Sequence, residues 1–282
     1  MKMLSKKRCV IGEGPIWSVQ EKKLYFTNGM ENEICIYDVG SDSLTVRKTP
    51  VGIAAFAFDT KGRLLVSHAD GVHFLSKDGA MSPVYDEAKY QIRYANDMKV
   101  GPDGALYVGT QSGRRKGVSD LVDGKLYRIA PDGEVRVLLD GLILSNGMEW
   151  SIDETKFYHT DSDTDIIREY DFDKATGDIV YTGRELSVEG VDGFTIAADN
   201  CIYATQWGRG CAAVIDTEMM QIRETIPLPS RIPASCGFCG EDMRTLAVTT
   251  ATYHADLTED VNAGFTVLLP MPVSGRAPYL FG

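Results

Sequence analysis

A strand-like apolar run that begins just after a small or polar residue recurs six times along this chain, at intervals of roughly 40–50 residues, the spacing of propeller blades. The starts are Glu13-Gly14-Pro15-Ile16-Trp17, Ala54-Ala55-Phe56-Ala57-Phe58, Asn96-Asp97-Met98-Lys99-Val100, Asn146-Gly147-Met148-Glu149-Trp150, Asp192-Gly193-Phe194-Thr195-Ile196 and Ser235-Cys236-Gly237-Phe238-Cys239. A second apolar run follows each after a turn such as Pro102-Asp103-Gly104, whose Asp-Gly pair suits a tight hairpin. Each repeat holds about four strand-length segments rich in β-branched and aromatic residues, and helical periodicity is almost absent. The pattern predicts an all-β fold, a six-bladed β-propeller forming a single domain over residues 1–282. A ring of blades has to close. The run at residues 6–11 lacks a blade of its own and is expected to pair with Gly264-Phe265-Thr266-Val267-Leu268-Leu269, so that the N-terminal strand completes the last blade and hides its edge.

If the first strands line a central channel, the residues that precede them share one register at its mouth. Glu13, Asn96, Asn146, Asp192 and Ser235 hold that register, with Ala54 and Ala55 in the second repeat. Two carboxylates converging without a cation repel each other and raise one pKa. A hard divalent cation relieves that repulsion and accepts amide oxygens as further ligands. Glu, Asn and Asp with no His or Cys favour Ca²⁺, Mg²⁺ or Mn²⁺ over structural zinc. The alanines of the second repeat mark a side open to substrate.

Composition excludes several other classes. A formal net charge of -11 argues against nucleic acid and against anionic membranes. No run approaches the roughly 18 apolar residues of a spanning helix. Met1–Arg8 is basic but no apolar stretch follows it, so no export signal is expected. The six cysteines are then expected as free, mostly buried thiols in a cytoplasmic protein. Cys236-Gly237-Phe238-Cys239 has the C-x-x-C spacing but lacks the second pair a zinc site would need. There is no Gly-x-Ser-x-Gly elbow, and His68, His73, His159 and His254 show no triad pattern; His159 reads as a packed histidine on an alternating strand. The polar insertion Gln111–Asp120, with Arg114, Arg115 and Lys116 in succession, reads as a mobile hairpin tip or a lid over an anionic substrate.

Gly12-Glu13-Gly14-Pro15-Ile16-Trp17, Ser145-Asn146-Gly147-Met148-Glu149-Trp150-Ser151 and Val191-Asp192-Gly193-Phe194 resemble signature segments of the senescence marker protein-30/gluconolactonase/luciferin-regenerating-enzyme family. Val100-Gly101-Pro102-Asp103-Gly104, Tyr158-His159-Thr160-Asp161-Ser162 and Trp207-Gly208 match in order, so the resemblance spans nearly the whole chain. It implies a six-bladed propeller with one catalytic divalent cation that opens sugar lactones or, in some members, other esters or organophosphates. Carried over by motif, Glu13, Asn146 and Asp192 are the metal ligands, and Asn96 contacts metal or substrate. Calcium is the first expectation for the cation, with Zn²⁺, Mn²⁺ and Mg²⁺ also suited to such oxygens. Asp192 is expected to double as the general base toward water. The family's Arg-x-Asn-Asp segment reads Arg93-Tyr94-Ala95-Asn96-Asp97 here, one residue too long. On a strand such a shift turns the side chain to the other face, so Arg93 needs a bulge to reach the substrate. The expected partner is a small lactone or ester. A non-catalytic calcium-binding propeller and an organophosphate or aryl-ester hydrolase are the alternatives.

Overall fold

A computed structural model describes all 282 residues. They form six antiparallel sheets of four strands each, and the fold is a six-bladed β-propeller. The first strands of the blades are Gly12–Ser18, Ala55–Phe58, Ala95–Val100, Ser145–Trp150, Val191–Ile196 and Pro233–Cys239, one for each predicted repeat. By chain contacts there are two compact units. One comprises residues 1–53 and 186–278, with blades 1, 5 and 6; the other comprises 54–185 and 279–282, with blades 2, 3 and 4. No helix is long and apolar enough to cross a membrane.

Turn chemistry joins the first two strands of blade 3. In blade 3, Gly101 N donates to Ala105 O and Gly104 N to Gly101 O. Gly104 has φ 73°, the left-handed conformation that glycine adopts without a Cβ penalty. The Asp103 carboxylate before it accepts from Arg128 Nε at 2.8 Å and Tyr107 Oη at 3.1 Å.

Aromatic packing fills the space between blades. Trp150 is fully buried, its ring centroid 4.7 Å from Tyr107 and 5.0 Å from Phe157. Its indole N–H has no acceptor, a cost of about 1–3 kcal/mol that this packing offsets. Hydroxyls on second strands link neighbours through the backbone. Ser67 Oγ donates to Asn96 O at 2.7 Å, from blade 2 to blade 3. Thr205 Oγ1 lies 2.8 Å from both Gly193 O and Ala234 O, joining blade 5 to blade 6.

The last blade is completed by the N-terminus, but by Lys2–Leu4 and not by residues 6–11. Lys2, Met3 and Leu4 pair with Leu268, Val267 and Thr266. Residues 6–11 instead run from the last blade to blade 1. Lys7 reaches Glu33 at 2.5 Å, Cys9 is buried, and Cys9 N donates to Gly264 O. Leu4 is the one buried side chain of the closing strand. Leu4→Ala is expected to cost about 2 kcal/mol, at the low end for buried leucines because the strand is an edge. Urea denaturation checks this, and an unchanged midpoint would show that the closing strand adds nothing.

The insertion after the second strand of blade 3 is not a bare hairpin tip. It holds a one-turn helix, Gly113–Lys116, whose N-cap Ser112 accepts from Arg115 N and whose C-cap Gly117 is left-handed. Arg115 also lies 3.5 Å from Asp163. All six cysteines are free, and all but Cys211 are buried.

Candidate metal centre

The site begins with β-bulges. In blade 4, Ser145 pairs with Asp161 and pairing resumes at Met148 with His159, so Asn146 and Gly147 together face Thr160. In blade 5, Asp192 and Gly193 face Thr205. In blade 3, Asn96 and Asp97 face Gly109. In blade 1 the register slips just after Glu13, which pairs with Thr27; Pro15 has no N–H for the ladder, and pairing resumes at Ile16. A bulge sets two residues against one and re-aims their side chains. Glu13, Asn96, Asn146 and Asp192 therefore occupy one structural position in four blades.

Ser235 does not share it. Phe238 pairs with Leu246 as Ile196 pairs with Ile202. Counting back, Ala234 falls at the Asp192 position and Ser235 at that of Gly193. The hydrogen bonds agree, since Thr249 Oγ1 donates to Ser235 O as Thr205 Oγ1 does to Gly193 O. Blade 2 pairs without interruption from Ala55 with Ser67 to Phe58 with Leu64, and so has no bulge.

Within the unit of blades 2–4, Asn96 and Asn146 form one network. Asn96 Nδ2 donates to Asn146 Oδ1 at 2.7 Å and to Ser145 O at 3.2 Å. Gln111 Nε2 donates to Asn96 Oδ1 at 2.9 Å, and Asn146 Nδ2 donates to Ser162 Oγ at 3.0 Å. Both amides are thereby oriented, and Asn146 Oδ1 keeps a second lone pair. Asp97 stands where blades 1, 4 and 5 have glycine. Burial raises its carboxyl pKa; Lys99 opposes the rise and Glu149 adds to it. Lys99 pairs with Glu149 at 2.9 Å. Behind Asn146, Ser145 Oγ and His159 Nε2 are 2.7 Å apart in a fully buried contact. Gly109 leaves the room for this pair, because a Cβ there would lie 2.2 Å from Ser145 Oγ. Burial, with the charge of Arg168 added, pushes the His159 pKa down to about 3.

In the unit of blades 1, 5 and 6, Asp192 is 8% exposed and Glu13 half-buried. Gly193 is required beside Asp192, since a Cβ would sit 2.3 Å from Ser235 Oγ.

Arg93 precedes the strand, so the alternation of strand faces does not govern its direction. Ala95 begins the strand, and Tyr94 turns the chain with φ 55°. Arg93 is exposed and lines a cavity with Asp70, Glu87 and Tyr90. Sequence reasoning missed Gln111 and Ser162 as orienting groups, although both lie in segments it had singled out. It also missed a histidine chain beside this cavity, in which His68 Nε2 and His73 Nδ1 are 2.8 Å apart and His73 Nε2 lies 3.0 Å from Glu87 Oε1.

Among known proteins, pentonolactonase XacC of Haloferax volcanii is 28% identical over 88% of this chain and 84% of its own. Regucalcin of Gallus gallus is 27% identical over 96% and 94%. The crystal structure of a calcium-binding regucalcin from Agrobacterium tumefaciens superposes with a TM-score of 0.88 at 24% identity, covering 99% of this chain and 96% of that one. The profile described as the SMP-30/gluconolactonase/LRE-like region matches residues 11–252. With six blades, bulged first strands and this match over most of its length, the chain belongs to the SMP-30/gluconolactonase/LRE-like family.

Proposed function

We propose that the protein is a metal-dependent lactonase in which Glu13, Asn146 and Asp192 hold one divalent cation. The observation that carries this reading is that all three sit at the same bulge position of their first strands. The donor set suits the group: two carboxylates and one amide oxygen, with no His or Cys at that position, fit a hard cation. Calcium is the first candidate, given the regucalcin relatives. Lactones are the first substrates to test, given the pentonolactonase. The six free cysteines support a reducing, cytoplasmic setting.

When bound, such a cation polarises the lactone carbonyl and acidifies a water. Asp192 takes the proton of the attacking water as a new C–O bond forms at the carbonyl carbon. Collapse breaks the ring C–O bond, and the ring oxygen leaves as a hydroxyl after taking up a proton. The product is the open hydroxy acid. Asn96 keeps Asn146 oriented; to donate to the substrate it would exchange its longer contact, that to Ser145 O. Gln111 holds the Asn96 amide in place throughout.

Acid release from a panel of γ- and δ-lactones, followed with a pH indicator, tests the proposal. Turnover is expected with added Ca²⁺, Mn²⁺, Mg²⁺ or Zn²⁺ and is expected to vanish with a chelator. Calcium binding without turnover would favour a non-catalytic calcium protein. Activity only on paraoxon or aryl esters would move the substrate class.

A further inference from the structure

Blade 2 brings no ligand to the bulge register, yet it carries a built cavity of about 170 Å³ between its turns and the segment leading into blade 3. Three observations describe it. The first is its place. Tyr94 N donates to Ala69 O at 2.6 Å and Gln111 N to Tyr94 O at 2.9 Å, which ties residues 93–96 to both blades. Three extended residues span at most about 10 Å, so Arg93 on the cavity wall lies within that reach of Asn96.

The second is its rigidity. Asp70 N donates to His68 Nδ1 at 3.2 Å, so that nitrogen accepts and the His68 proton is on Nε2. Nε2–H then donates to His73 Nδ1 at 2.8 Å, which places the His73 proton on its own Nε2, 3.0 Å from Glu87 Oε1. Every link runs in one direction, and the chain ends on the carboxylate. His68 is 5% exposed. The chain thus holds the Asp70 backbone and the Glu87 carboxylate beside the cavity. Tyr85 is seated as firmly: its hydroxyl packs on Gly71, where a Cβ would come within 2.3 Å.

The third is its chemistry. Asp70 and Glu87 accept hydrogen bonds, Arg93 and Gln91 donate them, and the half-buried Tyr90 ring packs against the core with the Lys89 ammonium 4.7 Å from its centroid. With two carboxylates against the Arg93 guanidinium and the Lys89 ammonium on Tyr90, the charges balance and the wall favours neither an anion nor a cation. Balanced charges with acceptors and donors in so small a space match one neutral polyhydroxylated ring. The volume is below the roughly 300–1,000 Å³ of pockets for larger ligands.

We propose that this cavity binds a sugar ring, and that the preferred substrates are lactones of oligosaccharide aldonic acids, with the glycosyl substituent held beside Tyr90 and Arg93. The substrate half of this inference rests on the lactonase reading; the sugar-binding half does not. Arg93 then serves the substituent and not the lactone ring.

Cellobiono-1,5-lactone is expected to exceed glucono-1,5-lactone in kcat/KM by at least about tenfold. Tyr90→Ala and Gln91→Ala are each expected to shrink that ratio toward one. Cellobiose, which has no lactone, is titrated in parallel against the intact protein with isotope-labelled tyrosine, and the Tyr90 resonance is expected to shift. If neither lactone is opened but cellobiose moves Tyr90, the sugar cavity stands and the lactonase reading falls. Equal rates on the two lactones, or a ratio insensitive to both variants, would overturn the substrate assignment. A Tyr90 resonance unmoved by cellobiose would overturn the cavity's role.

Discussion

Asp192→Ala is expected to lower kcat/KM for lactone opening by at least about 10³-fold and to weaken cation binding with it. Two losses combine in this change. A carboxylate ligand disappears from a set of only three protein groups, and the proposed general base, whose class of contribution is about 10²–10⁴-fold, goes with it. Asp192→Asn separates the two. The amide keeps an oxygen for the cation at the same bulge position but cannot take up a proton at neutral pH. Calorimetric titration with calcium is therefore expected to show binding retained in Asp192→Asn and impaired in Asp192→Ala, while both variants lose turnover. Glu13→Ala is the control, expected to weaken binding without removing the base. Wild-type rates in Asp192→Asn would remove Asp192 from the chemistry. Wild-type calcium affinity in Asp192→Ala would remove it from the metal centre.

That these residues could be singled out from sequence reflects how a propeller writes itself. Trp17 and Trp150 recur just after glycine-bearing segments because each first strand starts from the same geometry. Asp-Gly pairs mark the hairpins because positive φ is needed there. The errors have equally local causes. Ser235 falls in the sequence register because a bulge inserts one residue, and periodicity counts residues, not pairs. Residues 6–11 resemble a closing strand in sequence because Cys9-Val10-Ile11 is apolar. That run is drawn inward by Cys9 burial and by the Lys7–Glu33 contact, while the short Lys2–Leu4 segment takes the edge. The chain from Asp70 through His68 and His73 to Glu87 was illegible, because it depends on a hairpin bringing His68 opposite Gly71 and on a loop carrying Glu87 back to His73. Local patterns carry strands and turns; side-chain networks joining separate segments need the fold.

The buried His159 gives the sharpest pH expectation. Its folded pKa is pushed down to about 3, against an unfolded value near 6.5. Between those values the unfolded chain takes up a proton that the folded chain refuses, so stability falls as pH drops through that window and is unaffected by this group above it. At 1.36 kcal/mol per pH unit the full effect is roughly 4–5 kcal/mol, of which about 2 kcal/mol appears between pH 7 and pH 5. The buried carboxyl of Asp97 acts in the opposite sense. Its raised pKa means that the folded state binds a proton more readily, so acid relieves a cost there. The two are separated by difference. His159→Gln retains an amide able to meet Ser145 Oγ but does not titrate. The gap in unfolding free energy between wild type and this variant, measured by urea denaturation from pH 7 to pH 5, is expected to shift by about 2 kcal/mol against the wild type as pH falls. Parallel stability curves would mean that His159 is not buried as neutral imidazole. Ser145 and His159 would then not be the rigid support behind Asn146 that their 2.7 Å contact describes.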